Sequence, residues 1–77
     1  MKSFVKERDE AFTDFVLTGN RDKVIAFAKK YGVPIPRSER VFAGGIYKAV
    51  QECTSISEEV KKIAAVKCVE LGFTPYM

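Results

Sequence analysis

Glu7, Glu10 and Asp14 recur at the spacing that sets side chains on one side of a helix, and they are the first residues whose grouping suggests chemistry. Paired carboxylates can share a proton or hold a cation, but that work needs apolar surroundings that raise a pKa, and none are encoded around this row. Lys6, four residues before Glu10, neutralises part of it, so the expectation is a solvated acidic face. The other reactive side chains are Cys53 and Cys68. The chain has no histidine, so neither thiol has the usual base that activates a cysteine nucleophile. Two distant cysteines do not make a zinc ligand set either. If the helices that carry them fold as a hairpin, Cys68 stands about 16 Å along the second helix from Ser57. A disulfide needs Cα atoms within about 7 Å, so both cysteines are read as small core residues. Gly44-Gly45-Ile46-Tyr47-Lys48 lacks the preceding strand and the spacing of a phosphate loop. No catalytic residue, metal or cofactor is expected.

The elements that must position these residues read as four helices. Apolar residues at helical spacing mark the first from about Phe4 to Leu17, with Ser3 as its cap and Gly19 as its end. Val24, Phe27, Ala28 and Tyr31 form one face of a second helix, from about Arg21 to Tyr31, with Asn20 as cap and Gly32 as terminator. Pro34 and Pro36 force residues 33–37 into an extended connector. The third helix runs from about Glu39 to Cys53 behind Ser38, on a stripe of Phe42, Ile46, Ala49, Val50 and Cys53. Gly45 lies on that stripe and is expected to admit a neighbouring helix. The fourth runs from about Glu58 to Leu71, capped by Ser55 or Ser57. It carries one apolar stripe through Val60, Ala64 and Cys68 and a second through Val66, Val69 and Phe73, which is wider than a surface helix needs. Gly72 ends it, and Phe73 to Met77 is expected to pack back as a short tail. Residues 31–34 and 71–75 both read apolar, glycine, apolar, then proline, as two helical hairpins in series would. The fold class is therefore all-α, a compact bundle of about four short helices forming one domain over residues 1–77.

The length bounds the problem further. A chain of 77 residues sits near the lower edge of independent stability, where partners or very good packing help. The first nine residues are broken by charges before any apolar leader forms, and no apolar run approaches a bilayer span. A cytoplasmic location is the expectation.

The net charge is +3, and its distribution is uneven. Residues 21–48 carry seven basic side chains against two acidic ones, a balance of +5, whereas residues 1–20 and 49–77 each balance at −1. Residues 24–43 within that basic stretch resemble a helix-turn-helix. Phe27-Ala28 matches its apolar-small step, Tyr31-Gly32-Val33 its turn, and Val41 a late core position of its second helix. Pro34 and Pro36 lengthen the turn beyond the motif's, and Ser38 replaces an apolar residue. The resemblance implies a DNA-binding regulator in which Arg37, Arg40 and Lys48 contact phosphates. The leading expectation is different. It is a non-catalytic, regulatory helical module that binds a protein partner, or a second copy of itself, through Val66, Val69 and Phe73 on the surplus apolar side of the fourth helix.

Overall fold

A computed structural model describes residues 4–73 of the chain, and its elements are α1 (Phe4–Thr18), α2 (Asp22–Tyr31), α3 (Glu39–Glu52) and α4 (Glu58–Glu70). The architecture is all-α, and no strand occurs among the described residues. The expected cap at Ser3 and the tail 74–77 lie outside them.

The chain is arranged as two hairpins. α1 packs with α2 and α3 packs with α4, while α1 also touches both members of the second hairpin. Val16, Val50, Ala64 and Cys68 have no exposed surface and form the centre where α1, α3 and α4 meet. Burial of each valine side chain contributes about 1.5–3 kcal/mol. Aromatic rings fill the remaining space. Phe15 of α1 lies 5.7 Å from Phe42 and 5.6 Å from Tyr47, both on α3. Phe4 and Phe12 of α1 meet Phe27 of α2 at 5.2 and 6.0 Å.

The helix ends follow from local chemistry. Ser38 and Ser57 accept hydrogen bonds from the amides of Val41 and Val60, which decides the cap of α4 in favour of Ser57 over Ser55. Ser55 instead donates to the Asp9 carboxylate of α1. Asn20 accepts from the Asp22 amide and so caps the entry to α2, although Arg21 occupies the boundary position with helical dihedrals. Gly32 and Gly72 both take the left-handed conformation, with φ of 68° and 86°. In each case the next residue donates back to the carbonyl five residues earlier, Val33 to Ala28 and Phe73 to Cys68. The like endings of the two hairpins thus share one turn geometry.

Two burial expectations are corrected. Gly45 is exposed, and a methyl placed on it would meet nothing within 4 Å. Gly44 is the buried glycine, and it admits a side chain, Phe73, rather than a helix. Val41, placed in a core by the helix-turn-helix resemblance, is 48% exposed.

Candidate functional site

The acidic row of α1 is a latch to α2. Glu7 accepts from Lys30 Nζ at 2.6 Å and from the Tyr31 hydroxyl, and its side chain is largely covered. Asp14 lies 3.9 Å from Lys23. The two pairs hold an antiparallel register between α1 and α2. Two of the three acids on the face expected to be solvated, Glu7 and Asp14, thus have cross-helix partners. The hydrogen bond to Glu7 holds both the Lys30 ammonium and the Tyr31 phenol above their usual pKa ranges. Both groups therefore stay protonated near neutrality, and neither is tuned as a base.

The cysteines are buried and unpaired with each other. Cys53 Sγ donates to the Ala49 carbonyl at 3.1 Å, and burial pushes its thiol pKa up, away from thiolate reactivity. No group of three or more His, Cys, Asp or Glu side chains able to hold a metal occurs among the described residues. No described helix is long and apolar enough to cross a membrane.

The two residue sets singled out from the sequence do not stay separate. Phe73 leaves Val66 and Val69 and joins the basic set. Its ring lies half-buried against Gly44, with the Arg40 guanidinium 4.3 Å and Lys48 Nζ 5.1 Å from its centroid. Arg40 Nε also donates to the Leu71 carbonyl at 2.8 Å, at the end of α4. Arg40 and Lys48 thus clamp the exit of α4 onto α3 through charge–carbonyl and cation–π contacts. Arg37 is exposed and has no carboxylate partner among the described residues. Nor do the Cα traces of α2 and α3 come within 8 Å of each other, so these helices do not pack as a helix-turn-helix pair does.

Val66 and Val69 remain on the outside of α4, 60% and 56% exposed, beside a shallow hollow edged by Ala65 and Glu70. The opposite side of the helix is core, through Val60, Ala64 and Cys68. The wide apolar arc therefore has two uses: Phe73 closes one part against α3, and the two valines face solvent. Lys67, between them, reaches across to donate to the Val16 carbonyl in the last turn of α1.

A second apolar feature was not foreseen. Because α2 and α3 stand apart, a cleft of about 160 Å³ opens between them. Val24, Phe27 and Ala28 of α2, residues 33–36 of the connector, and Phe42, Gly45 and Ile46 of α3 line it. Val33, Ile35 and Val41 at its edge are each more than two-fifths exposed. The two connector prolines, which hold residues 33–36 extended, were the available signal. No family model matches the chain, and no curated protein or solved structure matches it either.

Proposed function

We propose that this chain is a non-catalytic binding module that works through the outer side of α4, with a second copy of itself as the partner. The observation that carries the reading is the pair of exposed valines, Val66 and Val69, on a helix whose other side is fully used by the core. Exposed Lys62 and Glu70 stand four residues on either side of Val66. In an antiparallel, two-fold pairing of α4 centred on Val66, Lys62 of one copy faces Glu70 of the other, twice over. The patch is small, so association is expected only at high protein concentration.

Sedimentation equilibrium tests this. The native chain is expected to associate reversibly, and a Val66→Glu, Val69→Glu variant is expected to remain monomeric with unchanged helix content. Lys62→Glu should weaken association, and adding Glu70→Lys should restore it. A native chain that stays monomeric at millimolar concentration contradicts the proposal. The alternative reading, a nucleic-acid-binding regulator acting through Arg37, Arg40 and Lys48, keeps less support. Arg40 and Lys48 already contact the Phe73 ring, which leaves Arg37 as the cation of that set without such a contact.

A further inference from the structure

The cleft between α2, the connector and α3 is a different surface from the outer side of α4, and its argument does not rest on self-association. It has the size and lining of a side-chain pocket. About 160 Å³ is close to the volume of an engineered apolar cavity that admits benzene, about 150 Å³. Its walls are apolar, from α2, the connector, α3 and Phe12 of α1, and its polar lining is minor.

At Gly45 the α3 wall of the cleft carries no side chain. A glycine in a helix interior costs about 1 kcal/mol relative to alanine. Here no neighbour requires it, because a methyl on Gly45 would meet nothing within 4 Å. What the absent side chain leaves is space in the cleft, bounded by bare α3 backbone.

The stretch of chain that supplies α2, the connector and the start of α3 is basic, with residues 21–48 balancing at +5. Lys29 follows the lining residue Ala28, and Arg37 follows the lining residue Pro36. Both are exposed, and neither has a carboxylate partner among the described residues. Glu39, the acid nearest in the chain to Arg37, is already paired with Arg21 at 3.0 Å. An apolar pocket carried on a basic segment complements an anchor side chain with carboxylates beside it.

We infer that this cleft is a docking site for an acidic segment of a partner protein that inserts one large apolar side chain over Gly45. The basic balance of residues 21–48 then serves to attract that segment, and the apolar lining provides the hold.

Amide chemical-shift titration of the full chain tests the assignment with three blocked pentapeptides. One places phenylalanine between paired acidic residues, one has lysines in place of the acids, and one has alanine in place of phenylalanine. The acidic phenylalanine peptide is expected to shift the amides of Val33, Ile35, Val41, Gly45 and Ile46. The other two should bind roughly tenfold more weakly or not at all. Gly45→Leu fills the cleft and should abolish the shifts while the spectrum stays dispersed. If that variant does not fold, Gly45→Ala should still weaken binding. A Lys29→Glu, Arg37→Glu variant should lose the preference for the acidic peptide. The Val66→Glu, Val69→Glu variant should bind it normally, which separates this site from the outer side of α4. No shifts at the cleft, or equal shifts from the acidic and basic peptides, would overturn the inference. So would cleft amides that move on dilution of the protein alone, which would seat a second copy there. Saturable, salt-sensitive shifts around Arg37 from a short DNA duplex, with none from the acidic peptide, would assign the basic segment to nucleic acid instead.

Discussion

Gly44 and Gly45 are adjacent in α3, yet they serve two different sides of the molecule. The Gly44 side is closed: Phe73 lies over it, held by Arg40 and Lys48, and a methyl on Gly44 would fall 2.7 Å from Phe73 Cδ2. The Gly45 side is open, onto the cleft, with nothing within 4 Å. One turn of helix therefore joins a finished contact within the chain to an unfinished one. The difference arises in the connections. α4 follows α3 through a short loop anchored by buried Ile56, and its left-handed turn at Gly72 directs Phe73 back onto α3. α2 is joined to α3 by an extended strap with two prolines and by the Arg21–Glu39 pair at their starts, and the two helices stay apart. Close packing within the chain follows the tight turn, and vacant apolar surface follows the strap.

The comparison breaks most visibly at Gly44. Gly44→Leu drives a branched side chain into the space of the Phe73 ring. Overpacking of this kind costs about 1–3 kcal/mol, which for a domain of this size lowers Tm by roughly 4–8 °C for each kcal/mol. Urea unfolding should show the loss, and the Arg40 and Phe73 resonances should move together because the clamp opens.

The α1–α2 hairpin sharpens the comparison from the other side, with a smaller effect. α2 is tied to α1 by the Glu7, Lys30 and Tyr31 latch, and the folded-state pKa values of Lys30 and Tyr31 are both raised by Glu7. A raised folded-state pKa contributes stability that is fully present below the unfolded-state value. That stability is lost as pH rises through the folded-state value. The latch is therefore expected to hold from neutrality to about pH 10 and to weaken above it. Tyr31→Phe should flatten this alkaline limb in a pH series of urea midpoints. An unchanged limb would remove the latch from the account.

Much of the fold was legible in the sequence because its signals are local. The apolar stripes of α2 and of the inner side of α4, the serine cap at Ser38, and the glycine terminators at Gly32 and Gly72 depend on residues within one turn of one another, whereas the cap of α4 stayed open between Ser55 and Ser57. The site was less legible because it depends on contacts between distant segments. Helical spacing alone cannot tell which of two adjacent glycines faces a neighbour, and Gly45 was the wrong choice. Phe73 shares a stripe with Val66 and Val69, but the turn at Gly72 breaks the helix before Phe73 and sends it to α3. Arg40 and Lys48 read as phosphate ligands because the ring and carbonyl that occupy them come from the far end of the chain. The cleft is the product of a packing gap, and no residue pattern spells out a gap.

The contrast between the closed and open sides of α3 is tested most directly by urea unfolding of Gly44→Ala and Gly45→Ala side by side. Each gains about 1 kcal/mol in helix propensity. Only Gly44→Ala must displace a partly buried aromatic ring, a loss of about 2 kcal/mol or more. The account predicts opposite signs, with Gly45→Ala more stable than the native chain and Gly44→Ala less stable. Equal shifts in the same direction would mean that Phe73 does not close the Gly44 side, and the distinction between the two sides of α3 would fall.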